Sequence, residues 1–258
     1  MTEEKKELTF TFDEMSILDK VLSKAKMKPP IICLYGKGGI GKTTFASTMN
    51  NPIIVQCEDG IGKIECPHTD VAKTYLEFES YLLALLNDEH DFKTVVVDSL
   101  DWLERLINDH VCKENGWSDI QSPSFGKGYG ASLVVFKDYL DILTRLRNEK
   151  GMTILQIAHN EVKRYEDPSN DPHDKHQIKL YRKSADLVVE HADCVFFANY
   201  KTGSVQKKNA KGGMTTQVLQ GDRKIYTQEA PGYHAKNRYG LPSEMDFDWP
   251  TIREEMIK

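Results

Sequence analysis

Residues 36 to 43 read Gly36-Lys37-Gly38-Gly39-Ile40-Gly41-Lys42-Thr43, which fits G-x-x-x-x-G-K-[ST], the Walker A phosphate-binding loop. Few short strings constrain a fold so strongly, because this loop works only where a buried strand enters it and a helix leaves it. Both flanks are present. The apolar run Ile31-Ile32-Cys33-Leu34-Tyr35 predicts the strand, and Thr44-Phe45-Ala46-Ser47-Thr48-Met49 predicts a helix start. The glycines let backbone N–H groups turn toward phosphate oxygens in conformations that a Cβ would block. Lys42 has the reach for β- and γ-phosphates, the Thr43 hydroxyl can ligate Mg²⁺, and the helix opening near Thr43 points its positive end at the same anion. Gly36 to Thr44 is therefore the expected binding segment for a nucleoside triphosphate, with ATP and Mg²⁺ as the expected cofactors.

The rest of the chain supplies what such a loop needs around it. Ile53-Ile54-Val55-Gln56-Cys57 predicts a second buried strand, ending in Glu58-Asp59-Gly60. Residues 75–90 predict a helix with Leu76, Leu82, Leu83 and Leu86 on its apolar face. Thr94-Val95-Val96-Val97-Asp98 predicts a third strand, followed by a helix from Leu100 to about Cys112. A further helix is expected from Ala131 to Asn148, then a strand from Met152 to His159 and another at Cys194–Ala198. Residues 113–130 and 160–183 read as polar loops, and 199–228 as a hairpin turning at 207–213. Buried strands alternating with helices imply an α/β fold, a mostly parallel central sheet with helices on both faces. The 258 residues suffice for one large domain of this kind. Residues 1–28, with strand-like Leu8–Phe12 and a helix capped by Asp13, read as an N-terminal appendage and a possible oligomerisation element. Residues 29–258 read as the core with its C-terminal hairpin and tail.

Composition narrows the function classes. No apolar run approaches the roughly 20 residues that cross a membrane, and the charged N-terminus lacks the apolar stretch of a signal peptide, so a cytoplasmic protein with no membrane partner is expected. The net charge of −5 does not advertise nucleic-acid binding as a whole-surface property. Cys33, Cys57, Cys66, Cys112 and Cys194 form no C-x-x-C pair, and Cys66 with His68 does not complete a zinc ligand set.

Asp98, ending a β-branched strand downstream of the loop, has the form of a Walker B aspartate and is expected to hold Mg²⁺ together with Thr43. Hydrolysis also needs a group that orients water. Ser99 stands where many such enzymes place a glutamate. On the residues alone, Glu58 is open between that role and a solvated turn.

Taken together, the loop, the strand ending in Glu58, and Val95-Val96-Val97-Asp98-Ser99-Leu100 resemble the RecA-like P-loop ATPase core. The resemblance implies that Glu58 is the catalytic carboxylate. It also implies that His159, in place of the more usual glutamine, senses the γ-phosphate and communicates with the DNA-binding loop, with Gln156 as the lesser candidate. Lys236-Asn237-Arg238 resembles a K-x-R element that reaches a neighbour's γ-phosphate, so Lys236 and Arg238 would act in trans in a homo-oligomer. With Leu241-Pro242 beyond it, the whole is similar to phage-encoded, RecA-core-only ATPases of single-strand annealing and recombination. That likeness implies single-stranded DNA as partner, and possible company from a phage or host single-strand-binding protein. The two polar segments would then meet the DNA, offering Trp117, Phe125, Lys127 and Tyr129 in one and Lys163, Arg164, Lys175, Lys179, Arg182 and Lys183 in the other. The Lys207–Lys211 hairpin tip is a further basic patch. Lys37 also fits the deviant Walker A of the ParA/MinD group, a dimeric switch, although Gln56-Cys57-Glu58-Asp59-Gly60 lacks that group's Asp-x-Asp pattern. An ATP-binding regulator of a protein partner is the third class.

Overall fold

The computed structural model describes residues 27–167, 170–208 and 214–258. The expected strand and helix at residues 8–26 and the turn at 209–213 lie outside the described residues. The P-loop strand β1 (Ile31–Gly36) is buried along its whole length, as are β2 (Pro52–Gln56) and β3 (Thr94–Asp98). Strands covered on both faces can be apolar at every position, which is why these three read as continuous runs. With β4 (Thr153–Asp167) and β6 (Cys194–Lys208) they form a parallel core in the order β2-β3-β4-β1-β6. Antiparallel strands complete the sheet: β5 (Asn170–Ile178) on β4, β7 (Met214–Tyr226) and β8 (Lys236–Asn237) on β6, and β9 (Glu244–Asp246) on β7. The fold is the expected α/β arrangement with a mostly parallel sheet, and β4 is inserted between the P-loop strand and the Asp98 strand.

Alternation along β1 divides the core. Ile31, Cys33 and Tyr35 face a large apolar cluster, and Ile32 and Leu34 face a smaller one. The large cluster is covered by α2 (Tyr75–Asn87), α3 (Leu100–Asn115), α4 (Lys127–Glu149) and α5 (Arg182–His191). The smaller one is covered by α1 (Lys42–Ser47) and α6 (Trp249–Met256). Helices therefore lie on both faces.

Several expectations need correcting. The segment 160–183 is not a loop: β4 runs on past His159 to Asp167 and returns as β5, and α5 opens at Arg182. The polar segment 113–130 is shorter as a loop than expected, since α3 continues to Asn115 and α4 begins at Lys127, leaving 116–126 between them. The C-terminal tail carries a helix, because Asp248 caps α6 by accepting from the Thr251 amide at 3.0 Å, with Pro250 in its first turn. On α2 the buried face is Tyr75, Phe78, Leu82, Leu85 and Leu86, and Leu76 is exposed. Among the described residues, no helix is long and apolar enough to cross a membrane.

Candidate nucleotide-binding site

Register explains why the site forms where it does. Gly36 lies level with His159 on one side and Ala198 on the other, and Asp98 lies level with Gln56, two residues before Glu58. The P-loop, Glu58, Asp98 and His159 thus emerge together at the C-terminal edge of the parallel strands, where open α/β sheets bind ligands. A Cβ on Gly36 would lie 2.4 Å from the Ala198 carbonyl oxygen, so only glycine lets β1 and β6 approach here. Gly41 carries φ of 102°, a left-handed conformation that turns the chain into α1.

A cavity of about 310 Å³ opens between Gly39, Lys42, Thr43, Glu58, Asp98 and His159. At its floor the Thr43 hydroxyl donates to Asp98 Oδ2 at 2.7 Å, so the two expected magnesium ligands are already adjacent. Both offer hard oxygen donors, the kind that Mg²⁺ prefers. Burial raises the Asp98 carboxyl above its usual range and nearby Glu58 adds to this, against the Thr43 hydrogen bond and the charges of Lys42 and His159. A divalent cation would relieve that cost. Lys42 is only 6% exposed and donates to the Gly36 and Lys37 carbonyl oxygens at 3.1 and 3.2 Å. Burial lowers its ammonium from the usual lysine range despite the carboxylates of Asp98, Asp101 and Glu58. A buried cation folded onto loop carbonyls in this way is poised to exchange them for phosphate oxygens.

The rear wall is a polar network. Ser99 donates its hydroxyl to Glu58 Oε1, and His159 Nδ1 stands 4.0 Å from that oxygen. Asp101, on the first turn of α3, accepts from His159 Nδ1 at 3.0 Å and from the His159 backbone N–H at 3.2 Å. Burial alone would raise the Asp101 carboxyl, but the bonds from His159 outweigh it and hold it below the usual range. Gln156, the lesser sensor candidate, is fully buried and accepts from the Tyr139 hydroxyl at 2.9 Å, with no path to the P-loop.

Lys236 and Arg238 are not brought to this cavity. Asn237 pairs with Cys194 at the N-terminal end of β6, the opposite end of the sheet from Gly36. Lys236 Nζ donates to the Val189, Glu190 and Ala192 carbonyl oxygens, capping α5, and Arg238 pairs with Asp193 at 3.3 Å. A different cation does reach the loop. Arg223 on β7 lies level with Tyr200, just past the Gly36–Ala198 pair, and donates to the Ile40 carbonyl at 3.2 Å while its guanidinium covers the Phe247 ring. No sequence motif marks Arg223, and Asp101 was equally silent as a polar residue on a helix start.

The two segments expected to meet DNA do adjoin each other, since Tyr129 of α4 stacks on Tyr181 just before α5 at 4.3 Å. Phe125 is fully exposed, Lys127 two positions on is exposed, and Lys179, Arg182 and Lys183 are exposed around the start of α5. Others are corrected. Trp117 packs against the core, and Lys175 is 8% exposed and bonded to Glu229. Lys163 pairs with Glu161 at 2.6 Å, and Arg164 lies 3.8 Å from Asp174. A second cavity of about 600 Å³ lies between the β4–β5 hairpin, α5 and Glu229–His234, with Arg182 and Lys163 on its lining.

The AAA domain family AAA_24 matches residues 28–239, a span that holds every cavity residue described above. No curated protein matches the chain. Among solved structures, a crystal structure of the RadB recombinase is similar at 12% identity and a TM-score of 0.43, covering 77% of this chain and 80% of that one.

Proposed function

Because this chain belongs to the AAA domain family, we propose that it binds and hydrolyses ATP with Mg²⁺ and spends the cycle on single-stranded DNA. The setting we assign is phage recombination, annealing or replication, as a homo-oligomer in the host cytoplasm. One observation carries the reading: Lys42, the Thr43–Asp98 pair, Glu58 and His159 converge on a single cavity at the sheet edge.

In this reading Gly38 to Thr44 wrap the phosphates with backbone N–H groups, and Lys42 turns from its loop carbonyls to the β- and γ-phosphates. Thr43 and Asp98 would hold the Mg²⁺, which supplies neutralisation of charge on the phosphates. Glu58 keeps one carboxylate oxygen on the Ser99 hydroxyl, leaving the other to accept a proton from the attacking water. His159 faces the loop from β4, level with Gly36, where the terminal phosphate ends. Lys236 and Arg238 would reach a neighbouring copy's phosphate only after leaving the α5 carbonyls and Asp193. Phe125 offers a ring for base stacking, and Lys127, Arg182 and Lys183 offer phosphate contacts.

The test is ATP hydrolysis with and without single-stranded DNA, at two salt concentrations. Lys42→Ala should abolish turnover, and Glu58→Gln should cut kcat at least 100-fold while ATP still binds. DNA stimulation should shrink in Phe125→Ala. A rate indifferent to DNA would remove the recombination reading, and a loss on Lys37→Ala would then point to the dimeric switch.

A further inference from the structure

We infer that Asp101 is a positioning residue for nucleotide sensing, which locks the His159 ring so that Nε2 alone faces the phosphate-binding loop. The inference deepens the proposed function, because it takes His159 to be the group that meets the terminal phosphate.

The geometry leaves the ring little choice. Asp101 is 6% exposed, and its carboxylate is spent on one residue: it accepts Nδ1–H at 3.0 and 3.1 Å and the backbone N–H of the same histidine at 3.2 Å. An ionised carboxylate can only accept, so Nδ1 must carry the proton. Rotating the ring by half a turn would place carbon against a buried charge and forfeit the two ring contacts at 3.0 and 3.1 Å, leaving the backbone N–H in place. The other edge of the ring then points at Gly38, where a Cβ would lie 3.8 Å from both Nε2 and Cδ2. Gly38 has no side chain, so nothing stands between that nitrogen and the loop. With a phosphate oxygen in front of Nε2, the ring would have an acceptor at each nitrogen, Asp101 behind and the γ-phosphate ahead. ADP offers no oxygen at that place. Glu58 lies 4.0 Å from Nδ1, and Asp98 and Lys42 line the same cavity, so the ring sits among the charged groups of the site.

The same bond ties the ring to the fold. Asp101 belongs to α3, while the His159 carbonyl accepts from the Lys179 amide at 2.9 Å at the base of the β4–β5 hairpin. A shift of the ring toward phosphate therefore pulls between α3 and the hairpin.

The experiment is ¹⁵N NMR of the histidine side chains in the full chain, with His159→Gln to assign the resonance, in the apo state, with Mg-ADP and with the slowly hydrolysed Mg-ATPγS. The expected result is a proton on Nδ1 in all three states and an Nε2 resonance that moves with ATPγS and stays near its apo position with ADP. In Asp101→Asn and Asp101→Ala, kcat should fall by 10- to 100-fold with KM changed less than about threefold, and the ATPγS-specific Nε2 movement should vanish. An unprotonated Nδ1 in the apo wild type overturns the inference without any variant. So does wild-type kcat in both Asp101 variants while His159→Ala is impaired. Wild-type kcat in His159→Ala instead removes the sensor reading itself, and with it the role of Asp101.

Discussion

At the residue scale, chemistry was legible where a motif dictates geometry. Lys42, Thr43 and Asp98 stand where the P-loop and the strand-end aspartate require, and their adjacency follows from parallel register alone. Partners that the motif does not specify were invisible. Glu229 shows why: in sequence it is one acidic residue in a polar turn, but it accepts from Lys175, His234 Nδ1 and the Ala235 amide. Burial would raise its carboxyl, yet the bonds from His234, Lys175 and the Ala235 amide prevail and bring it down to about 2. A depressed carboxylate contributes stability that is fully present above its unfolded value, near 4.5, and lost as pH falls toward 2. Since that side chain is 48% exposed, screening leaves about 1 kcal/mol of the effect. Glu229→Gln should therefore lower the Tm by about 2–4 °C at pH 7. Differential scanning fluorimetry should find the gap between variant and wild type closing as pH falls from 4.5 toward 2.

At the element scale, continuous apolar runs announced β1, β2 and β3, and failures came where charge alternates. Lys163-Arg164-Tyr165-Glu166 looks like a solvated loop because β4 there has left the core and pairs only with β5. An exposed hairpin has no buried face to print a pattern on the sequence. The cap of α6 was printed: Asp248 followed by Pro250 is a helix-start signature. The K-x-R element shows how a motif can be read correctly as cationic and still be placed elsewhere. Lys236 closes the C-terminal end of α5 with three carbonyl bonds, an interaction of about 1–2 kcal/mol. Lys236→Ala should lower the Tm by several degrees while the folded protein keeps its kcat. A fall in kcat at unchanged Tm would place Lys236 on a neighbour's nucleotide instead. Gly41→Ala tests the other end of the sheet. The left-handed φ and a contact of 2.4 Å from the new Cβ to Arg223 both oppose it, so nucleotide affinity should drop at least tenfold. Adding Arg223→Ala removes the contact and leaves the φ, so titration of a fluorescent ATP analogue should show little recovery.

At the scale of the whole molecule, β4 and β6 flank β1 and both outrun it. Beyond the level of Gly36, β4 continues for residues 160–167 and β6 for residues 199–208, each folding back as a hairpin. The P-loop therefore lies between the roots of two hairpins, and each root touches it: His159 from β4 across Gly38, and Arg223 from β7 on the Ile40 carbonyl. Such an arrangement lets nucleotide occupancy alter the hairpins without any hinge between domains. If occupancy draws His159 toward phosphate, the bond from the Lys179 amide and the first rungs of the β4–β5 ladder, Asn160 with Ile178 and Glu161 with Gln177, should open less often. Hydrogen–deuterium exchange should then slow at residues 159–165 and 174–180 with Mg-ATPγS and slow less with Mg-ADP. In His159→Ala the nucleotide effect should disappear from the hairpin but persist at Gly36 to Thr44, because the loop still binds. Equal protection of the hairpin in that variant would mean that the signal travels through β1 itself, and the two hairpins would have to be treated as independent of the ring.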